Sequence, residues 1–189
     1  MIWLCNTLSN VVRCDLFWCN EFRKWTELEM KMMELYQGSG EVVEYPDIRI
    51  SRFTKDFSWG FYCTVKKEQA ERWTEKWVGT NKIPTVNFYH YTENPKLRIL
   101  KFDGLNGEWL DFVAECRGGA DHDYDIVEGP MADDVIWDFV GDYLKGKIER
   151  ETFMSYAKFN RYTHQMSFHT ARALRCLKFI GSEVIEHGK

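Results

Sequence analysis

The feature that most constrains the fold is the irregular order of short β-prone segments and helical segments that follows Leu35. The segment "DIRISRF" alternates apolar Ile48 and Ile50 with polar Arg49 and Ser51, which is the period-two pattern of a half-buried strand. Further strand candidates are rich in β-branched and aromatic residues: "GFYCT", "TVNFYHY", "LRILKF", "YDIVEGP", "QMSFHT" and "LRCLKFI". Because strands and helices do not follow a strict βαβ alternation, the sequence predicts an α+β fold.

The segments between these strands have helical spacing. In "VKKEQAERWTEKWVG", Ala70, Trp73 and Trp77 share one face of a helix, and Gly79 supplies a stop signal. The other predicted helices are "GEWLDFVAEC", "ADDVIWDFVGDYL" and "ERETFMSYAKF". These segments predict helices that surround a sheet core.

Residues 1–33 differ in character from the rest of the chain. They combine scattered large apolar residues with the helix-favouring stretch "EFRKWTELEMKMMEL", which continues to residue 35. We therefore predict an N-terminal helical extension over residues 1–33 that packs on a domain spanning residues 34–189. A chain of 189 residues is long enough for one domain with a substantial core.

Charge and cysteine content limit the class of protein. The net charge of −4 gives no overall attraction to nucleic acid or anionic membranes, and we interpret the basic residues between 158 and 178 as a solvated face. Six cysteines form no CxxC pair, the N-terminus lacks the features of a secretory signal, and no apolar run is long enough to span a bilayer. These observations predict a cytoplasmic protein with reduced thiols, without a membrane partner.

Two polar clusters leave alternatives open. The segment "ADHDYD" can be a polar loop or a site for a hard cation, and the loop is favoured because the EF-hand spacing is absent. Strand alternation places Gln165, Ser167 and His169 on one face, which is either exposed to solvent or the polar wall of a cleft. No zinc-ligand pattern occurs in the sequence, and we predict no metal site. The GxSxG elbow, the P-loop and the GxGxxG motif are also absent from the sequence.

Three stretches in order resemble a known superfamily. "LYQGS" (35–39), "DFSWGFYCT" (56–64) and "HQMSFHTARALRCLKFI" (164–180) are similar to the signature strands of the ADP-ribosyltransferase fold, in its poly(ADP-ribose) polymerase and diphtheria-toxin branch. The segments "EWLDFV" and "YDIVEGPMADD" extend the similarity to an uncharacterised bacterial domain family with LYHGS, KDFGKGFYLT and NQ-FHT motifs. The resemblance implies a split β-sheet core with surrounding helices.

The resemblance also implies roles for individual residues. Gln37 stands where the branch usually has a histidine that binds a ribose hydroxyl, and Gly38 would offer its backbone to the nicotinamide carboxamide. Ser39 would support the adenosine-side ribose, and Tyr62 would stack on the nicotinamide ring. Gln165 takes the position of the catalytic glutamate, and its neutral amide can orient a hydroxyl without adding a full negative charge.

Three further residues complete the expected site. Arg52, beside the second motif, would pair with the pyrophosphate of NAD, although a surface ion pair is an equally favoured interpretation. We also expect Phe57 and Phe61, which lie within the second motif, to contact the cofactor.

The function implied by the resemblance is mono-ADP-ribosyl transfer. The chain would use NAD as a co-substrate, cleave its glycosidic bond to nicotinamide, and modify a macromolecule as an effector or as the toxin of a toxin–antitoxin pair. A protein acceptor is favoured over a nucleic acid because of the acidic net charge, and a small protein antitoxin is an expected partner. The alternative is a degenerate, non-catalytic module that binds a nucleotide or a protein.

Overall fold

A computed structural model describes residues 32–48, 55–132, 134–157 and 163–187 of the chain. The predicted extension over residues 1–33 lies outside these ranges except for its last two residues, so the prediction of an N-terminal helical segment stays a prediction. Most of the predicted strand "DIRISRF", from residue 49 onward, also lies outside the described residues.

The described strands form two separate sheets. The three-stranded sheet consists, in spatial order, of β1 (Met32–Ser39), β3 (Thr85–Thr92) and β7 (Leu177–Val184). The four-stranded sheet consists, in spatial order, of β2 (Phe61–Cys63), β6 (Gln165–Phe168), β5 (Ile126–Gly129) and β4 (Ile99–Lys101). Within it, β6 runs antiparallel to β2 and β5, whereas β4 and β5 are parallel. The predicted α+β class is therefore confirmed.

The helices occupy the predicted segments. The four longer ones are α1 (Lys67–Thr74), α2 (Gly107–Arg117), α3 (Asp134–Leu144) and α4 (Arg150–Ala157), and a 3₁₀ turn (Glu75–Trp77) extends α1. Asn106 caps α2 because its side chain accepts a hydrogen bond from the Trp109 amide. Gly79 has a φ of +73°, as expected for the residue that ends this helical stretch.

Two local predictions are wrong. Residues 32–35 were predicted as the end of a helix, but they belong to β1, and Leu35 on this strand is completely buried in the core cluster with Phe61 and Tyr89. The strand predicted from residue 174 begins only at residue 177, after the short helix α5 (Ala171–Leu174). Thr170 explains that helix, since its side chain caps the amide of Ala173 and so stabilises a turn.

Among the described residues, one isolated backbone bridge joins the two sheets. The Tyr36 amide donates to the Thr64 carbonyl at 2.8 Å, and the Thr64 amide donates back to the Tyr36 carbonyl at 2.9 Å. This bridge holds the end of the first motif beside the end of the second. Tyr36 and Thr64, which are distant in sequence, are thereby neighbours in the fold.

Apolar packing fills both sides of the four-stranded sheet. One buried cluster draws side chains from both sheets, among them Leu35, Phe61, Tyr89, Met166 and Phe168. The other joins the opposite face of the four-stranded sheet to α2, α3 and α4, and includes Phe57, Tyr62, Trp109, Ile136 and Phe153. Strand β6 is consequently buried on both faces, which a strand bordered by solvent would not be.

The structure bears on two expectations about the environment of the chain. Within the described ranges, no helix has the length and apolar character that crossing a bilayer requires. The described cysteines Cys63, Cys116 and Cys176 carry free thiols, and the first two are buried.

Candidate functional site

The candidate site is a pocket of about 620 Å³, within the usual range for small-molecule sites. Residues from the end of β1, from the loop before β2 and from the start of β6 line it, so all three motif segments reach the same space. Aromatic side chains complete its lining: Trp73, Trp77 and Trp137.

Gln37 presents a hydrogen-bond donor to this pocket. The Asn87 side chain is fixed because its Oδ1 accepts from the Val43 amide at 2.9 Å, so its Nδ2 must donate. Asn87 Nδ2 donates to Gln37 Oε1 at 2.9 Å. The carbonyl end of Gln37 is therefore engaged by the protein, whereas no described residue accepts a hydrogen bond from its Nε2, which is the end that can donate to a ligand.

Gly38 and Ser39 form the adjacent part of the pocket lining. A Cβ atom on Gly38 would lie 2.2 Å from the Ala70 carbonyl oxygen and 2.9 Å from Trp73 Cβ. The absence of a side chain at Gly38 is therefore required for packing against α1, whatever ligand the pocket binds. Ser39 is buried beside it and also lines the pocket.

Tyr62 lines the pocket with part of a ring whose hydroxyl is already bound. The hydroxyl donates to the Ser58 carbonyl at 2.7 Å and accepts from the Phe57 amide at 3.2 Å. Burial, helped by the neighbouring Asp56 carboxylate, raises the pKa of Tyr62 well above its usual value, so the phenol stays protonated. The Lys55 ammonium lies 4.4 Å from the centre of the ring.

The loop that precedes β2 is held by side chains from three other parts of the fold. Ser58 has a φ of +67°, a conformation that is strained for a residue with a side chain and that its surroundings must maintain. Besides Tyr62, His122 contacts the Phe57 carbonyl at 3.2 Å, and His169 contacts the Trp59 carbonyl at 2.7 Å. These contacts fix the loop that carries Asp56.

His169 binds the loop before β2 as a neutral ring. Because a carbonyl can only accept, His169 Nδ1 carries the proton that it donates to Trp59, while Nε2 lies 2.7 Å from the Ser167 hydroxyl. Burial lowers the pKa of His169 to about 4, so the ring is uncharged at neutral pH. The polar face of β6 thus borders the protein interior and the pocket, and the interpretation as a solvent-exposed face is wrong.

Gln165 and Asp56 form a buried polar cluster at the inner end of the pocket. Gln165 Nε2 donates to Asp56 Oδ2 at 2.9 Å and to the Pro130 carbonyl at 3.1 Å. Asp56 also accepts from Arg117 Nη2 at 2.5 Å and from the Ala132 amide at 2.8 Å. Both charged side chains are buried, since 4% of Asp56 and 7% of Arg117 is exposed.

The sequence alone did not reveal this cluster. Asp56 stands inside the second motif, but its partner Arg117 is the last residue of α2, and no local pattern connects the two. A buried aspartate needs a cation or several donors, so the position of Asp56 next to the aromatic residues of the second motif was the only available signal.

Gln69 of α1 forms hydrogen bonds with the backbone immediately before β6. Gln69, which is 1% exposed, donates through Nε2 to the His164 carbonyl at 2.6 Å and accepts from the His164 amide at 3.1 Å. The His164 ring accepts from the Val65 amide at 3.3 Å and approaches Glu128 at the same distance. The hydrogen bond from His164, together with Lys101, lowers the pKa of Glu128 to about 2. These contacts fix the backbone that carries Gln165.

The remaining predicted residues are placed differently. Phe57 is fully buried, packs against Phe102 and Phe112, and is not one of the described residues that line the pocket. Phe61 lines the pocket but is buried, and its ring packs edge-on against Tyr89. Arg52 lies outside the described residues, so its predicted contact with a pyrophosphate stays a prediction.

The acidic segment "ADHDYD" has partners within the protein. Asp125 is fully buried and accepts from Arg172 at 2.6 and 2.7 Å and from the Thr170 hydroxyl at 2.6 Å, while Asp123 pairs with Arg98. Burial alone would raise the pKa of Asp125, but the hydrogen bonds from Arg172 and Thr170 outweigh it and lower the value to about 2. Across the described residues, no group of three or more candidate ligands is arranged to hold a metal ion.

Charged groups of both signs line the pocket. Lys55 and Lys76 contribute two ammonium groups, whereas the lining carboxylate of Asp56 is neutralised by Arg117. The two ammonium groups are of a type that can contact an anionic group of a ligand.

Comparison with known proteins identifies a family over most of the chain. The family described as "Protein of unknown function (DUF3990)" matches residues 33–179, which include every described part of the pocket lining. No curated protein and no solved structure matches the chain.

Proposed function

We propose that this chain, which belongs to the DUF3990 family, is an NAD-dependent mono-ADP-ribosyltransferase that modifies a macromolecular acceptor. The observation that carries the proposal is the convergence of the Gln37–Ser39 segment, Tyr62 and Gln165 on one pocket. These are the positions at which the resemblance to ADP-ribosyltransferases expects the nicotinamide and the two riboses of NAD to bind. A pocket of about 620 Å³ accommodates the nicotinamide nucleoside half of NAD.

The polar groups of the pocket are complementary to a ribose. Gln37 offers a donor, because Asn87 engages its carbonyl oxygen. Gln165 offers an acceptor, because Asp56 and Pro130 engage both hydrogens of its amide nitrogen. A ribose hydroxyl both donates and accepts, so the two glutamines can bind one sugar from opposite sides of the pocket.

The proposed reaction breaks the bond between the ribose anomeric carbon and the nicotinamide nitrogen. Nicotinamide leaves with the bonding electron pair, and the positive charge that develops on the ribose resembles that of glycoside hydrolysis. A nucleophile of the acceptor then bonds to the anomeric carbon and loses its proton. The protein would contribute mainly by orienting the ribose and excluding water around Tyr62.

The charges of the pocket also support a dinucleotide ligand. Lys76 supplies an ammonium group in the pocket lining that would pair with the pyrophosphate of NAD. We extend the proposal to a cytoplasmic protein that acts as an effector or toxin, with a protein acceptor and a small protein antitoxin as partners.

The second candidate function is binding of a nucleotide without turnover. The observation that favours it is the Lys55 ammonium, which lies 4.4 Å from the centre of the Tyr62 ring where a cationic nicotinamide would stack. Two cations compete for one ring face, so Lys55 must move before nicotinamide can stack there. A nucleotide bound through its phosphates alone would not require that movement.

Two measurements separate the candidates. Labelled NAD is incubated with the protein and a cell lysate, and both labelled macromolecules and released nicotinamide are quantified; calorimetry measures NAD binding in parallel. Transfer of label supports the proposed enzyme, and binding without nicotinamide release supports the second candidate. The absence of NAD binding contradicts both.

Gln165→Ala provides the matched control for these assays. It removes the proposed acceptor of the ribose hydroxyl and leaves the lysines of the pocket unchanged. An enzyme should lose most of its nicotinamide release, whereas a phosphate-binding module should keep nearly all of its affinity for NAD.

A further inference from the structure

The carboxamide of Gln165 meets two acceptors at once. Both hydrogens of Nε2 are used, one by Asp56 Oδ2 at 2.9 Å and the other by the Pro130 carbonyl at 3.1 Å. Because neither partner can donate, the orientation of the amide is unambiguous. Gln165 is 3% exposed, so water cannot replace these hydrogen bonds, and a buried polar group left without a partner there would destabilise the protein.

The opposite end of the same side chain borders the pocket. No described residue donates a hydrogen bond to Gln165 Oε1, and this oxygen is not among the fully buried atoms that lack a partner. Gln165 lines the pocket, so Oε1 is the atom that a ligand meets.

We propose that Asp56 is a positioning residue, which holds Gln165 so that Oε1 points into the pocket and which makes glutamine the required residue at that position. The catalytic part of this inference rests on the proposed function. A glutamate at position 165 would place one carboxylate oxygen against Asp56 Oδ2 and the Pro130 carbonyl, where three acceptors would face one another without a proton.

The surroundings of Asp56 require a carboxylate just as strictly. Its described partners Arg117 Nη2, the Ala132 amide and Gln165 Nε2 are all donors. Asparagine would turn its own NH₂ group toward at least one of them, so it cannot replace aspartate without losing a contact. Aspartate at 56 and glutamine at 165 therefore form a matched pair.

The pairing of Asp56 with Gln165 gives a structural reason for a neutral residue at position 165. In the related transferases a glutamate occupies the corresponding place, so a glutamine considered by itself suggests decay. Here the negative charge is on Asp56, one hydrogen bond away from the side chain at position 165, and the amide oxygen of Gln165 is the acceptor offered to the ligand. The glutamine is then a working part of a site with a different arrangement.

The first test needs no ligand. Gln165→Glu is made alone and together with Asp56→Asn, and the pKa of the introduced carboxyl is measured by NMR with selective labelling. We expect that pKa to lie about one pH unit or more above the ordinary glutamate value in the single variant, and to fall in the double variant. The melting temperature of the double variant should also exceed that of Gln165→Glu alone.

The second test distinguishes positioning from a merely structural role. The kcat and KM for nicotinamide release are compared among the parent, Asp56→Asn, Gln165→Ala and the double variant. Asp56→Asn should lower kcat by about tenfold or more in the parent and by less than about twofold when Gln165 is already alanine. A structural role would lower kcat by similar factors in both backgrounds.

The outcomes are separable. An ordinary pKa for the introduced carboxyl, unchanged by Asp56→Asn, overturns the pairing, as do equal factors in the kinetic cycle. If the parent protein binds NAD without releasing nicotinamide, the proposed function fails, and the NMR titration alone decides on the pairing. If Gln165→Glu does not fold, recovery of folding by Asp56→Asn supports the inference and continued unfolding contradicts it.

Discussion

The pocket has two walls that are built by different physical means. The donor wall (Gln37, Gly38 and Ser39) belongs to the three-stranded sheet, and a neutral amide, Asn87, orients its glutamine. The acceptor wall (Asp56, Tyr62 and Gln165) belongs to the four-stranded sheet and the loop before it, and a buried ion pair orients its glutamine. The donor wall thus presents the amide nitrogen of Gln37 to the pocket, and the acceptor wall presents the amide oxygen of Gln165.

The two walls differ in the desolvation free energy that their construction requires. Burying an ion pair requires desolvation of two charges, and a buried pair that lacks good geometry destabilises a protein. The donor wall avoids that cost because hydrogen bonds between neutral amides suffice to hold it. We therefore expect the acceptor wall to be the more sensitive to substitution and to acid.

The largest effect is expected when the ion pair of the acceptor wall is broken. Asp56→Ala removes one member of a buried ion pair in which 7% of Arg117 is exposed, so the free energy of unfolding should fall by about 3 to 5 kcal/mol. Urea denaturation measures the change. Asp111→Ala is the control, because it breaks the exposed Arg150–Asp111 pair and should change stability little. Equal losses in the two variants would contradict the assigned role of burial.

Acid should loosen the acceptor wall before the donor wall. His169 has a pKa of about 4 in the folded protein and an ordinary value of 6.5, so the unfolded chain binds the additional proton between these values. Stability contributed by neutral His169 is complete above pH 6.5 and is lost as the pH falls toward 4, by up to about 3 kcal/mol.

Hydrogen exchange at pH 7 and pH 5 checks this expectation. Protection of amides in the loop around Trp59 should fall more than protection in β3. A His169→Gln variant should show a smaller loss of stability between the two pH values. An equal loss in the variant would assign the acid sensitivity to other groups.

The donor wall is tested through packing. Gly38→Ala places a Cβ 2.2 Å from the Ala70 carbonyl oxygen, so α1 must shift, and the free energy of unfolding should fall by about 1 to 3 kcal/mol. Gly141→Ala in α3 is the matched control, because a Cβ there meets no atom within 4 Å and alanine favours a helix. Thermal unfolding should show opposite signs for the two variants. A neutral result for Gly38→Ala would show that α1 is not tightly seated.

The smallest expected effects concern turnover. Tyr62→Ala and Gln165→Ala should each reduce nicotinamide release by at least about tenfold, which corresponds to roughly 1.4 kcal/mol of barrier. Steady-state kinetics with NAD measure the change, and circular dichroism verifies that both variants remain folded. Full activity in folded variants would show that the acceptor wall does not bind the reacting ribose.

The sequence predicted the fold class and most elements of the sheets because alternation and turn signals are local. The segments "GFYCT", "TVNFYHY" and "QMSFHT" each contain a strand of the structure. Residues 32–35 were assigned to a helix because their composition favours one, and pairing within the sheet overrides that preference. Local propensity could not anticipate that contact.

The candidate site was predictable only in part, for a related reason. The positions of Gln37, Tyr62 and Gln165 followed from motifs that occur in order along the chain. The hydrogen bonds that orient their side chains come from Asn87, Asp56 and Ser58, whose side chains or backbone atoms are brought close only by folding. Gly38 illustrates the same limit, since its need for a bare Cα arises from its packing against α1, which is distant in sequence.

The bridge between Tyr36 and Thr64 has a consequence for the width of the pocket. Among the described strands this residue pair joins the two sheets through two backbone hydrogen bonds, so the angle between the sheets is not fixed by a continuous ladder. Side-chain volume in the cluster around Leu35, Tyr89 and Phe168 then sets how far the sheets spread. Core substitutions that never touch a ligand can therefore tune which ligands fit.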